Sequence, residues 1–133
     1  MKDQILSIAQ MRHLVSLGVD TSKASMCRVI EMRTNMYEPE IYDRSNPEMR
    51  YLSPIPAFTL QDCIEMMPKN ILKGEQKYNL RIIIEAEGVT IGYFHNDDEG
   101  NLDYIPNLGS DNDYGLLEAA YETLVSLKEN KYI

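Results

Sequence analysis

Alternation of apolar and polar positions is clearest between Tyr78 and Phe94, YNLRIIIEAEGVTIGYF. Two runs rich in β-branched residues flank Glu87-Gly88, and glycine supplies the positive φ that a two-residue hairpin turn calls for. With that turn, Ala86 faces Val89, Ile84 faces Ile91, Ile82 faces Tyr93 and Leu80 faces His95. Leu80, Ile82, Ile84, Ala86, Val89, Ile91 and Tyr93 then share one apolar face. Arg81, Ile83, Glu85, Thr90, Gly92 and Phe94 share a mixed one. A slip of one residue would bury Arg81 and Glu85, so the pattern specifies the register strongly. A lone hairpin is marginal in water, so this one calls for a further strand and for helices over its aliphatic face.

Helical spacing organises three other stretches. Ile5, Ile8, Met11, Leu14, Val15 and Leu17 predict a helix over 3–17, with Asp3 in its first turn and a Schellman stop at Gly18-Val19. Thr59-Leu-Gln-Asp62 reads as a capping box with Asp in the usual Glu or Gln place. It starts a second helix with the stripe Leu60, Cys63, Ile64 and Met67, ended by Pro68. Asn112 or Asp113 caps a last helix running to about Asn130, with Leu116, Leu117, Ala120, Tyr121, Leu124 and Leu127 inward.

The segment Thr21–Arg33 carries two patterns. As a strand, Met26, Arg28, Ile30 and Met32 alternate with Cys27, Val29, Glu31 and Arg33. As a helix, Thr21 or Ser22 is the cap. The clean period of two favours the strand. Thr34–Pro56 is punctuated by Asn and Pro, with Glu40–Arg44 as a short strand and Met49–Leu52 as an edge piece. Lys73–Lys77 is a loop, Leu102–Ile105 a third strand beside the hairpin, and Pro106–Asn112 a loop. The sum is an α+β fold in the order α-β-β-α-β-β-β-α. It has an antiparallel sheet of about four to five strands and helices packed on one face. A length of 133 residues points to a single domain, 1–133.

Charge narrows the functions. The net charge is −8. No Lys or Arg occurs between Ile82 and Leu127, a window holding ten acids. Such a surface repels phosphate backbones and anionic membranes and attracts a basic partner. Asp97, Asp98, Glu99, Asp103, Asp111 and Asp113 are therefore the candidate partner-binding residues. No apolar run approaches the roughly 18 residues of a membrane-spanning helix. The N-terminal MKDQILSIAQMRHL is too polar for a secretory h-region, which predicts a cytoplasmic protein. Cys27 and Cys63 read as buried reduced thiols.

Catalytic and metal motifs fail one by one. With Gly100 at the sixth position of an EF-hand loop, His95 and Pro106 fall at the first and twelfth, where acids are required. A weaker calcium site from Asp97, Glu99, Asp111 and Asp113 would need two loops to meet. His13 and His95 are too far apart in sequence for a ligand pair and have no nucleophile motif beside them. No glycine-rich phosphate loop occurs. No catalytic residue, metal or cofactor is assigned. Tyr37, Tyr42 and Tyr51 crowd the proline-rich middle, where they pack against the second helix or line a groove.

Three phrases carry a resemblance: Gly18-Val-Asp-Thr-Ser-Lys-Ala-Ser-Met26, Ile55-Pro-Ala-Phe-Thr-Leu-Gln-Asp62, and Leu116-Leu-Glu-Ala-Ala-Tyr121 with the Glu-Asn-Lys-Tyr-Ile end. They resemble small proteins of gut Bacteroides-type bacteria and their phages. The resemblance implies a mobile-element setting, brings no functional residues with it, and favours the strand reading from Met26. The expectation is a small acidic, non-enzymatic interaction or accessory protein that contacts a basic host or phage protein. The rival is a helix-turn-helix DNA-binding regulator using residues 10–33, with Lys23, Arg28 and Arg33 on its second helix. Global charge and the period of two oppose it.

Overall fold

A computed structural model describes residues 5–29, 40–43, 55–112 and 114–133, with backbone alone for 29 and 40–43. The fold is α+β, with antiparallel strands in the predicted order and two more than predicted. The chain divides into two compact units, Met1–Asp62 and Cys63–Ile133. The strands form two sheets, one in each unit. No helix among the described residues is long and apolar enough to cross a membrane.

In the first unit α1 spans Ile8–Ser16. It starts later than the apolar stripe predicts, because Ser7 and Gln10 form a reciprocal capping box. Ile5 and Leu6 run extended ahead of it, 4% and 0% exposed, with Ile5 bridged to Thr59. The stop is the predicted one. Val19 N–H bonds the Leu14 carbonyl, Gly18 N–H bonds that of Val15, and Gly18 has φ 90°. That is the 6→1 and 5→2 pair of a Schellman motif.

After this turn comes β1 (Met26–Val29), which lies between β2 (Glu40–Asp43) and β3 (Ile55–Ala57). The helix-turn-helix arrangement is therefore not the one observed: a strand stands where its second helix would be. Lys23 lies in a turn. Arg28 is buried and donates from Nη1 to the Leu6 carbonyl, and desolvation pulls its pKa down. Arg33, the edge piece Met49–Leu52, and the side chains of Tyr37, Tyr42 and Tyr51 lie outside what is described. The strand β3 escapes sequence reading because Pro56 argues against a strand. It is tolerated because β3 is an edge strand.

The division between units falls within α2 (Leu60–Met66). Its start is the predicted box. Thr59 Oγ1 accepts from Asp62 N–H at 3.1 Å. Asp62 Oδ2 accepts from Thr59 N–H at 2.9 Å, and also from Ser25 N–H and Oγ–H at 3.0 and 2.8 Å. These bonds account for a carboxylate that is only 7% exposed.

The second unit is a four-stranded sheet in the order β4-β5-β6-β7, with β4 Asn70–Lys73, β5 Gln76–Glu85, β6 Gly88–Asn96 and β7 Leu102–Asn112. The predicted loop at 73–77 is instead a tight hairpin, Lys73 opposite Gln76, with Gly74 at φ 67° as its first turn residue. The central hairpin turns at Ala86-Glu87, not at Glu87-Gly88. Glu85 faces Gly88, Ile84 faces Val89, Ile82 faces Ile91 and Leu80 faces Tyr93. The partners differ from those predicted by two residues, so both faces keep their membership. One face is buried on β6: Val89, Ile91 and Tyr93 are 7%, 1% and 0% exposed. On β5 burial fades along the strand, from Tyr78 at 7% exposed to Ile84 at 68%.

The reason is α3 (Leu116–Glu129), which packs across β6 and β7. Ala119, Ala120, Leu124 and Leu127 supply its buried apolar face. Its N-cap is Gly115, with no side-chain bond, rather than Asn112 or Asp113. Asn112 is spent elsewhere, donating to Ser110 Oγ at 2.9 Å and Glu122 Oε2 at 3.2 Å. Ser110 also donates to Glu122, and Gly109 N–H to Ser126 Oγ at 2.9 Å. The strand β7 runs on past the predicted end at Ile105. Between Gly92 and Phe94 β6 has one residue, while the facing stretch of β7 has four, Ile105–Leu108. The bulge accommodates Pro106, which has no N–H to pair, and Asn107 at φ 60°.

Three outcomes follow for stability. A Cβ on Gly109, at φ +119°, would lie 2.1 Å from the Ile91 carbonyl oxygen. Gly109→Ala should lower unfolding free energy in urea by about 2–4 kcal/mol. Gly100→Ala, with open space at φ +84°, should cost about 1 kcal/mol. Tyr93 donates its O–H to the Pro68 carbonyl at 2.7 Å, and burial pushes its pKa far above the ordinary 10.0. The unfolded chain then sheds this proton first, so stability falls as pH rises above about 10. Alkaline unfolding of Tyr93→Phe should show a shallower loss over that range.

Candidate partner-contact surface

The acids singled out by sequence fall into two groups at opposite ends of the β6–β7 hairpin. Asp97, Asp98 and Glu99 form the tip, with Asp103 just beyond it. Asp111 faces Thr90 near the start of β6. From Thr90 to Asn96 is six strand residues, about 20 Å. The two loops required for a calcium site from Asp97, Glu99, Asp111 and Asp113 therefore do not meet, and Asp113 lies outside the described residues. No group of three or more His, Cys, Asp or Glu among the described residues is placed to hold a metal.

Within the tip the acids do different work. Asp97 Oδ1 accepts from Asn101 N–H at 2.7 Å and Glu99 N–H at 2.9 Å. The Asn101 backbone bond is the main cause of its lowered pKa. Asp97 therefore shapes the turn, helped by Gly100 at φ 84°. Asp98 and Glu99 project from that turn, exposed.

Asp103 is drawn into a row across three strands that sequence reading missed. Its Oδ2 accepts the Tyr78 O–H at 2.9 Å, and its Oδ1 accepts Tyr104 N–H at 2.9 Å. His95 pairs with Asp103 across the strands, and its ring lies 5.9 Å from that of Tyr78. The hydrogen bond to a carboxylate favours neutral Tyr78 and raises its pKa. The signal lay in the β5–β6–β7 register, which places Tyr78, His95 and Asp103 on one face, the face that α3 covers further along.

The opposite, outer face is bare of helix in this unit. Leu102 and Tyr104 are 50% and 58% exposed there. Phe94 packs beside Tyr104, with ring centroids 6.3 Å apart. A shallow depression of about 520 Å³ opens between β6 and the bulge of β7, and no α3 residue lines it. Asp111 lies at its margin, accepting the Thr90 hydroxyl at 3.1 Å. Lys69, Lys73, Lys77 and Arg81 are exposed on or next to β4 and β5. This sheet thus runs from a basic edge to an acidic tip. His13, in the other unit, is exposed on α1, and both cysteines are buried and in no disulfide.

No known protein family, curated protein or solved structure matches the chain.

The Tyr78–Asp103 bond has a direct readout. Asp103→Asn should bring the Tyr78 pKa down toward the ordinary range, because the neutral amide no longer opposes phenolate formation. Ultraviolet titration of tyrosine ionisation, assigned by comparison with Tyr78→Phe, measures it. An unchanged titration would refute the coupling.

Proposed function

We propose that this protein acts by contact and not by catalysis, docking a basic partner on the acidic tip of the β6–β7 hairpin. The observation that carries this reading is the division of labour at the tip. Asp97 is held by backbone N–H groups and fixes the turn, so Asp98 and Glu99 stand exposed on a rigid support. The stretch from Ile82 to Leu127 has no Lys or Arg to neutralise them locally. A field of one sign on a projecting loop speeds encounter with an oppositely charged surface and selects against acidic ones. Leu102 and Tyr104, exposed beside the tip, add the apolar and aromatic area on which specific contacts rest. With the mobile-element setting that the resemblance implies, the partner is a basic protein of host or phage.

The test separates charge from fold. Asp98→Asn with Glu99→Gln leaves Asp97 and Asp103 in place and should preserve the hairpin. Immobilised wild-type protein should retain one or a few basic proteins from host lysate at physiological salt, and the double variant should lose them. If mass spectrometry finds the same set on both, the acidic-tip reading is wrong.

A further inference from the structure

Both edges of the four-stranded sheet are open among the described residues, since no strand pairs beyond β4 or β7. The phase of the hydrogen bonds shows what each edge offers. Asp97 N–H donates to the Asn101 carbonyl at 2.9 Å. Alternation along an antiparallel ladder then turns the backbone groups of Asp103 toward β6 and those of Leu102 and Tyr104 outward. Leu80 N–H donates to the Lys69 carbonyl at 2.9 Å, so Asn70 and Leu72 present theirs outward on β4. The two open stretches match in length. β4 has four residues, Asn70–Lys73, and β7 has four before Pro106, residues 102–105. Their side chains correspond as well. Leu72, Leu102 and Tyr104 stand on the outer face, 68%, 50% and 58% exposed. Ile71, Lys73 and Asp103 belong to the other face, with Lys69 and Lys73 exposed.

From this match of edges and charges we infer that a second copy of the chain docks its β4 edge antiparallel against β7, extending the sheet head to tail. Leu72 of one copy pairs with Leu102 of the other, and Asn70 with Tyr104, all through outward backbone groups. The same register sets Ile71 opposite Asp103. Lys69 and Lys73 then lie diagonal to that carboxylate, within reach of their long side chains. In the free chain Asp103 Oδ1 accepts the outward Tyr104 N–H at 2.9 Å. The Asn70 carbonyl replaces it on docking, and that oxygen turns to the lysines. Charge opposes pairing of like edges. Two β7 edges in the equivalent register set Asp103 against Asp103, and two β4 edges set Lys69 against Lys73. The mixed pairing brings Glu75 toward Glu99, but both stand on exposed turns where solvent screens them. Four residues a side make a contact far below the standard interface of about 1,600 Å², so assembly is weak and depends on concentration. The inference goes beyond the acidic-tip reading and fails separately from it, because Asp98→Asn with Glu99→Gln alters no residue of this ladder.

The experiment follows the full-length protein by sedimentation velocity and ¹⁵N amide spectra from micromolar to millimolar concentration. Average mass should rise without a closed limit, as a head-to-tail contact requires, with shifts centred on residues 70–73 and 102–105. Leu72→Pro and Leu102→Pro each delete an N–H that faces away from its own sheet, so each closes one edge and keeps the fold. Either variant alone should stay monomeric. Their equimolar mixture should form a dimer and stop there, through β7 of the first and β4 of the second. Glu75→Lys should tighten the wild-type association, and Lys69→Glu with Lys73→Glu should weaken it by about threefold. These exposed substitutions carry the test if a proline alters the amide spectrum away from its own strand. Wild type that stays monomeric at millimolar concentration overturns the inference. So does a folded proline variant that still self-associates, a mixture that does not associate, or association indifferent to the charge changes.

Discussion

The second unit depends on one piece of packing, the seat of α3 across β6 and β7. A sheet with one aliphatic face has to remove it from water, and each of Val89, Ile91 and Tyr93 contributes roughly 1.5–3 kcal/mol when covered. The helix meets them with a mixture of small and large residues, so Ala119 and Ala120 allow close approach where Leu124 and Leu127 fill. Thr123 is buried in the same face and satisfies its hydroxyl on the Ala119 carbonyl. The polar ties from Gly109, Ser110 and Asn112 to Ser126 and Glu122 then fix where along β7 the helix sits. Those ties exist because the bulge re-aims β7 just before Gly109. Only glycine approaches the Ile91 carbonyl so closely.

What the helix covers decides what it leaves. A single helix spans two strands of a four-stranded sheet, so Ile84 on β5 stays in water although it shares the face that α3 buries. The outer face has no helix of this unit, and there the Phe94 ring lies against Gly92, 2.9 Å from where a Cβ would stand. The acids of the tip lie beyond the helix, on a hairpin end tied by Asp97. Charge follows the same geometry, with cations near β4 and β5 and acids at the far end of β6 and β7. The surface suited to contact is the part of the sheet that the core does not need.

The first unit is organised differently, around backbone groups of the segment before α1. Leu6 donates its N–H to the Phe58 carbonyl at 2.9 Å, and its own carbonyl takes the buried Arg28 guanidinium. Phe58 N–H points at Met11 Sδ, 3.4 Å away. Asp62 gathers three donors from Ser25 and Thr59 at the start of α2. Charged groups stay inside because hydrogen bonds satisfy them, and this explains why Arg28 is unsuited to a phosphate contact.

By itself the sequence determined the features that arise within a few residues. The Schellman stop at Gly18-Val19, the Thr59/Asp62 box, the strand at Met26 and the face membership of the central hairpin are all local consequences of capping, glycine or a period of two. Hairpin register was legible only to parity, because a shift of two residues keeps Ile82 and Ile84 on the same face. The start of α1 was misplaced although Ser7 and Gln10 announced it, since the apolar stripe continued through Ile5. Tertiary structure decided the rest. Pro56 and Pro106 sit in strands because those strands are edges, a status invisible until the sheets assemble. Asn112 was drawn from capping to the Glu122 tie by the seat of α3. Of the candidate site, the acids were readable from composition alone. That Asp97 shapes a turn, Asp103 holds Tyr78, and Asp111 stands at the far end beside Gly109 follows from cross-strand pairing, which joins residues far apart in the chain.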